Sequence, residues 1–271
     1  MTSNTKNNDG AVRVIQITDM HLFADTTDML VGMNCEEGLQ DVLTLISEEQ
    51  QDIATILCTG DISQDNSADS YNRLATAFDR FQAPHYWIPG NHDELEKMQL
   101  ALGMEHPCFS RSFVLPGWRI IMLNSSVKGQ VSGLLAESEL AALRTILENN
   151  SEPNVMVCLH HNPVPVASNW LQQHALKNPE ALFAVLDAFS MVKVVLFGHI
   201  HQALEKQRNG VSYYGSPSTC IQFHPDSFDF ALDSANPGYR WFDLYADGSF
   251  STGVSRVKNK RYAVDFSGIG Y

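Results

Sequence analysis

The stretch Val12-Arg13-Val14-Ile15-Gln16-Ile17-Thr18-Asp19-Met20-His21 decides how the chain is read. Val12–Thr18 has the β-branched, apolar character of a buried strand, and it runs without a linker into a carboxylate and an imidazole. The same event recurs four times. Ile53–Thr59 ends at Gly60-Asp61, and His85–Ile88 ends at Pro89-Gly90-Asn91-His92-Asp93. Val155–Leu159 ends at His160-His161, and Val192–Phe197 ends at Gly198-His199-Ile200-His201. In open α/β sheets, ligands gather beyond the carboxyl ends of the strands, so five such endings predict one converging site.

Helical patterns separate these strands. Leu39, Val42, Leu43 and Ile46 fall at i, i+3, i+4 and i+7, one face of a helix. Ala68–Phe81 is helical in character, Leu140, Leu143, Ile146 and Leu147 mark another helix, and Pro179–Phe189 carries its proline in the first turn. Arg119–Asn124 reads as a further strand. From Val211 to Val257 the segments are short, β-rich and broken by Gly, Pro and Asn, which predicts a second sheet. With no internal repeat and no linker-like tract, residues 1–10 are expected to be a disordered lead-in and 11–271 a single domain.

Hydrophobic residues make up 44% of the 271 and charged residues 18%, enough for a large core without wholesale disorder. The formal net charge of −13 argues against nucleic-acid polymers and anionic membrane surfaces as partners. It leaves room for a small anionic substrate, because bound divalent cations would reverse the local field. Cys35, Cys58, Cys108, Cys158 and Cys220 are odd in number and widely spaced, and they read as reduced, buried thiols rather than a disulfide framework. The opening MTSNTKNNDG lacks an apolar core of signal-peptide length, and no apolar run approaches membrane-spanning length. A soluble, cytoplasmic protein is expected.

The five clusters offer carboxylate, imidazole and amide oxygen, with no cysteine. Such donors suit Mn²⁺, Fe²⁺, Co²⁺ or Zn²⁺ in a reactive site better than a structural thiolate zinc. The spacing of Asp19 and His21, and of His199 and His201, would place each pair on one side of an extended segment. The glycines before Asp61, Asn91 and His199 permit tight turns where the backbone must come close to the ions. A single catalytic ion needs about three protein ligands, whereas seven are on offer, so two ions are expected. Two ions about 3.5–4 Å apart turn a bridging hydroxide into a nucleophile for in-line displacement at phosphorus. Asp61 is the natural bridging ligand, since one carboxylate can bind both ions.

The ordered series Asp19-x-His21, Gly60-Asp61, Gly90-Asn91-His92-Asp93, His160-His161 and Gly198-His199-x-His201 resembles the motif set of the calcineurin-like metallophosphoesterases. Within that superfamily, five stretches resemble the bacterial class III cyclic-AMP phosphodiesterases: Ile17–Ala24, Gly60–Asp65, Asn169-Trp170-Leu171, Gly198–Gln202 and Pro217–Phe223. So does the tail from Pro237-Gly238 to Gly270-Tyr271. The resemblance implies an α/β fold, a sandwich of two β-sheets flanked by helices (αββα). It also implies hydrolysis of 3′,5′-cyclic AMP to 5′-AMP by a metal-bridging hydroxide on two divalent ions, Fe²⁺ or Mn²⁺ ahead of Zn²⁺ or Co²⁺. Carried over by motif position, Asp19, His21 and His201 would hold one ion with Asp61, and Asn91, His160 and His199 the other, again with Asp61. His92 would be the general acid at the leaving 3′ oxygen, for which an imidazole is suited. His21, Asp61, Asn91, His92, His161 and His201 would contact substrate. Of the two adjacent histidines, the family pattern favours His160 as ligand, leaving His161 behind it or against substrate.

Around this set the expectations are plainer. Asp93 reads as the N-cap of a helix starting at Glu94–Leu95, and Asp65 as either an orienting partner of His92 or a solvated loop residue. His85, His106, His174 and His224 read as structural or exposed, with His174 and His224 open to a pocket role. Trp170, Tyr214 and Phe223 are candidates for stacking on a base, though packing is the default for each. The segment after Asp61, Ile62-Ser63-Gln64-Asp65-Asn66, lacks the arginine with which phosphoprotein phosphatases of the superfamily grip a phosphate monoester. Its absence favours diesters. The alternatives are a broader phosphodiesterase (2′,3′-cyclic nucleotides, glycerophosphodiesters or nucleotide-linked lipids) and, behind it, a non-catalytic scaffold, which would be expected to have lost ligands.

Overall fold

Successive residues of Val12–Ile17 (β1) bury on opposite faces, and that alternation explains the layers. Val14 packs into a core shared by two sheets, while Ile15 and Ile17 pack among helices. A strand covered on both sides reads as a largely apolar run, and this one does so apart from Arg13 and Gln16.

The computed structural model describes residues 10–268 and 270. After β1 come the short ribbon β2 (Met29–Leu30) and β3 (Met33–Asn34), then α1 (Cys35–Glu49), β4 (Ile53–Cys58), α2 (Ala68–Phe78), β5 (His85–Trp87) and α3 (Leu95–Leu102). A 3₁₀ turn at Pro107–Phe109 leads to β6 (Ser112–Leu115), β7 (Trp118–Met122), α4 (Glu137–Glu148), β8 (Asn154–Cys158), α5 (Asn169–Gln173), α6 (Pro179–Leu186) and β9 (Val192–Phe197). The remainder is β10 (Leu204–Arg208), β11 (Val211–Gly215), β12 (Gln222–Phe223), β13 (Leu232–Asp233), β14 (Gly238–Leu244) and β15 (Phe250–Arg256). The lead-in expected over 1–10 lies outside the described residues apart from Gly10.

Two sheets face each other. One has the order β15-β14-β1-β4-β5, the other β10-β11-β9-β8-β7-β6. Val14, Leu57 and Phe242 of the first meet Ile120, Met156, Val194 and Leu196 of the second in a dry interlayer. The opposite faces take the helices. Ile15, Ile17, Ile56 and Cys58 pack with Leu39, Val42, Leu43 and Leu74 of α1 and α2. Val155, Val157, Val195 and Phe197 pack with Leu143, Leu147, Leu182 and Phe183 of α4 and α6. The αββα expectation is met. Burying apolar area at about 25 cal/mol per Å² on three such interfaces is the main favourable term.

One expectation fails. The β-rich tract from Val211 to Val257 builds only the two-stranded ribbon β12–β13 by itself, and its other strands join the two main sheets. β11 pairs in parallel with β9 in the second sheet, whereas β14 pairs antiparallel with β1 in the first. Strand character is a local property, but the choice of sheet depends on which edge is open when the chain returns. Buried polar groups fasten the layers. Gln16 on β1 donates to Thr59 Oγ1 (2.7 Å) and to the carbonyl of Phe197 on β9 (3.1 Å), and it accepts from Ser216.

The cysteines also need a correction. Cys35 at the start of α1 and Cys220 are joined by a disulfide, with Cα atoms 5.1 Å apart at a sequence separation of 185. Cys58, Cys108 and Cys158 are the free, buried thiols. Sequence spacing carries no sign of this pair, because only the tertiary fold brings the α1 terminus under the loop before β12.

Candidate metal centre and active site

β1, β4 and β5 run parallel, as do β8 and β9, so their carboxyl ends deliver the five polar clusters to one place. His201 Nε2 lies 3.3 Å from Asp19 Oδ1 and 3.2 Å from His21 Nε2. His160 Nε2 lies 3.2 Å from Asp61 Oδ2, 3.2 Å from Asn91 Oδ1 and 4.0 Å from Asp19 Oδ1. Asp61 Oδ2 is 3.9 Å from His21 Nε2, which places its carboxylate between the two groups. Donor atoms of Asp19, His21 and His201 all lie within 4.8 Å of one another, and so do those of Asp19, Asp61 and His160.

The backbone is not extended here, contrary to the expectation from alternating spacing. Asp19 (φ 55°), His21 (φ 49°), Asp61 (φ 51°), His199 (φ 68°) and His201 (φ 48°) are all left-handed. They make up five of the ten non-glycine residues with positive φ among those described. Such backbone costs on the order of 1 kcal/mol each and persists only where the surroundings impose it. Asp19 and His21 reach one donor group together with His201, whereas His199 joins His160 and His161. Close approach accounts for the neighbouring glycines: a Cβ on Gly90 would strike the Asp61 carboxylate, and one on Gly198 would strike Thr18 Oγ1.

The second contacts choose which nitrogen each imidazole presents. Nδ1 of His160 is 2.7 Å from the Thr59 carbonyl, Nδ1 of His201 is 2.8 Å from the Ile221 carbonyl, and Nδ1 of His21 is 2.6 Å from Gln64 Oε1. An Nδ1–H given to an oxygen leaves the lone pair on Nε2, facing the cluster. His199 Nε2 is buried with no hydrogen-bond partner, a costly state for a polar atom unless a cation is there to take its lone pair. The donor set therefore fits divalent ions.

The sequence profile of the calcineurin-like phosphoesterases matches residues 12–203. The chain belongs to that family. Over 270 residues, 99% of this chain and 98% of the other, the phosphoesterase is 42% identical to the 3′,5′-cyclic adenosine monophosphate phosphodiesterase CpdA of Pseudomonas aeruginosa. It is 40% identical over 263 residues to the protein of the same name in Escherichia coli K12, covering 96% of this chain and 95% of the other. A dimetal phosphatase from Danio rerio has the same fold, with a TM-score of 0.64 at 15% identity over 92% of this chain and 100% of that one.

His161 stands apart from the other imidazoles of this phosphoesterase. A nitrogen of its ring lies within 4.8 Å of those of His160 and His199. Both its nitrogens are nevertheless engaged, Nδ1 with Ser125 Oγ (2.9 Å) and Nε2 with the Val131 carbonyl (3.1 Å). Those two hydrogen bonds leave its ring no lone pair for an ion. The cavity over the cluster is lined by the polar residues Asp61, Asn91, His92 and His199 together with Val131, Trp170, Leu171, His174 and Phe223. His21, His161 and His201, also expected against substrate, are buried and are not among the residues that line this cavity. No lysine or arginine is among the described residues of the wall. A roomier cavity near Cys220, Asn236 and Tyr262 holds none of the candidate ligands.

Electrostatics follow burial and charge. Burial would raise Asp61, but His160, His92 and His21 more than reverse it and hold it well below the usual carboxylate range. Asp19 is lowered too, with burial opposed by His201 and His160. Burial lowers His21 to about 3, helped by His92 and His201. His199 is lowered well below its ordinary value by burial, His161 and His160. Burial opposes protonation of His160 as well, but Asp61 and Asp19 overcome it and lift the group to about 9.

Some contributors had no signal in the sequence, and one expectation there was wrong. Asp93 is not the helix cap; Glu94 occupies that position. Its buried carboxylate accepts from the backbone N–H of Gly90 (2.9 Å), Ile62 (3.1 Å) and Ser63 (3.0 Å) and from Tyr71 Oη (3.1 Å). It thereby ties the Asn91–His92 loop to the Asp61 loop. Asp65 is exposed and bonds to Ala24 N, Ser63 Oγ and Ser67 N, a loop-organising role. Gln64 and Ser125 were missed because an amide or hydroxyl outside a motif looks like any surface residue. Tyr214 packs against Phe242 and Phe250 between the sheets, far from any stacking role.

Proposed function

We propose that this phosphoesterase hydrolyses the 3′ P–O bond of 3′,5′-cyclic AMP to give 5′-AMP, using two divalent ions. The observation that carries the reading is 42% identity over 99% of the chain to a protein named for that reaction. The lining agrees with it. A cyclic diester bears one negative charge, and a wall without lysine or arginine suits it better than a dianionic monoester.

In this reading Asp19, His21, Asp61 and His201 hold one ion, and Asp61, Asn91, His160 and His199 the other. Support comes from the Nε2 orientation of His21, His160 and His201 and from the unpartnered Nε2 of His199. Fe²⁺ or Mn²⁺ is the pair that the family resemblance implies; the carboxylate, imidazole and amide donors, without thiolate, accommodate Zn²⁺ or Co²⁺ as well. Bound ions supply Lewis acidity and an activated water for attack at phosphorus. The chain's own residues do the rest. The Asp61 carboxylate also accepts the backbone N–H of His92 (2.8 Å), so the residue at the centre sets the position of the acid. His92, half-buried at the cavity wall, gives its proton to O3′ as the P–O3′ bond breaks.

A cytoplasmic location belongs to the same reading. The three free thiols support it, and the Cys35–Cys220 pair weighs against it. The deciding experiment is steady-state hydrolysis of 3′,5′-cyclic AMP with Mn²⁺ or Fe²⁺, beside bis-p-nitrophenyl phosphate and p-nitrophenyl phosphate. Efficient turnover of cyclic AMP with a slow monoester is expected. Turnover of the activated diester alone would retain the centre and overturn the nucleotide assignment.

A further inference from the structure

Resting on the cyclic-nucleotide reading above, we infer that Trp170 is the platform on which the nucleobase stacks, with His174 at the polar edge of the base. The lining of the cavity is chemically divided: Asp61, Asn91, His92 and His199 supply polar donors, and Trp170 and His174, in ring contact with each other, supply an aromatic surface. A cyclic nucleotide is divided likewise, its charged diester and its flat base being held apart by a rigid bicyclic sugar. With the diester at the polar donors, the base falls against the aromatic surface.

Geometry singles out Trp170 among the aromatic candidates. Tyr214 is part of the interlayer core. Phe223 is only 3% exposed, and its ring is stacked on His201 with centroids 4.2 Å apart. Trp170 is half-buried and lines the cavity. Its ring is held edge-on against Phe223 (5.1 Å) and Phe230 (5.0 Å), and its backbone N–H donates to the Phe228 carbonyl (3.1 Å). α5, which carries it, is capped by Ser168, whose hydroxyl accepts from Leu171 N. A fixed, preorganised ring loses little freedom when a base stacks on it. His174 packs 5.4 Å from the indole, and burial and Lys177 lower its pKa. Its neutral ring can therefore both donate to and accept from a base edge.

Stacking contributes on the order of tenfold or more in affinity per base. Two comparisons read it. In the metal-loaded protein, 5′-AMP should bind at least tenfold more tightly than ribose 5-phosphate by calorimetry. Trp170→Ala should erase most of that difference, and Trp170→Phe should keep most of it. In turnover, Trp170→Ala should raise KM for cyclic AMP and lower the ratio of its kcat/KM to that of methyl p-nitrophenyl phosphate at least tenfold. Equal binding of the two monophosphates by the parent protein overturns the inference, whether or not the alanine variant folds. An unchanged ratio in a folded Trp170→Ala does the same. If the parent cleaves the small diester and leaves cyclic AMP untouched, the failure belongs to the proposed substrate rather than to Trp170.

Discussion

Asp61 and His92 are joined by one hydrogen bond yet carry separate roles in the proposed mechanism, and substitutions at each should read differently. Asp61→Ala is expected to lose bound metal and activity together, as measured by elemental analysis and turnover; two ions retained per chain would remove the bridging assignment. His92→Gln should keep both ions and lower kcat for cyclic AMP about 10²- to 10⁴-fold. The loss should be smaller with p-nitrophenolate as leaving group, which needs no proton. Gln64 offers a finer test, because it is a side chain doing for His21 what backbone carbonyls do for His160 and His201. Gln64→Ala should weaken one ion about 10- to 100-fold and spare the other, visible as a split titration; equal weakening of both would assign Gln64 a general structural role. His160 gives the pH dependence. Its pKa is lifted from 6.5 to about 9 in the folded, ion-free chain, so the stability it adds is complete below pH 6.5 and is lost as pH rises through 9. Ions must displace that proton, so their affinity should rise with pH up to about 9, about tenfold per unit. His160→Asn should flatten the ion-free melting slope in that window.

At the level of elements, strands were legible because both faces are buried, so β4, β8 and β9 appear as mainly apolar runs, with Thr55, Asn154 and Lys193 as the exceptions, ending in polar clusters. What lay beyond the sequence was pairing at a distance. Nothing local to Gly238–Leu244 says it will join β1, and nothing around Cys35 names Cys220. The left-handed turns at Asp19 and His201 were missed for a related reason. Aspartate and histidine do not demand positive φ, and the fold imposes it on them. Asp93 was misread because its three backbone partners come partly from another loop. The disulfide is directly testable. Alkylation of the denatured, unreduced protein should label three cysteines, rising to five after reduction, and reduction should cost about 2–4 kcal/mol of stability. Five labelled thiols without reductant would restore the reduced reading and remove the one observation that weighs against a cytoplasmic location.

On the scale of the whole molecule, three dry layers hold the fold independently of the cluster they carry. The metal-free protein is therefore expected to be folded, with a cooperative melt and sharp amide dispersion. Adding Mn²⁺ should raise its melting temperature by mass action without changing its secondary structure. An ion-free chain that is unfolded would show instead that the ions are part of the scaffold. The candidate ligands run from Asp19 to His201 and come from both sheets. A chain emerging from the ribosome has Asp19, His21 and Asp61 long before it has His199 and His201, and until the second sheet docks it can offer an ion only half a coordination shell. A complete donor set for the ions therefore exists only once both sheets have come together.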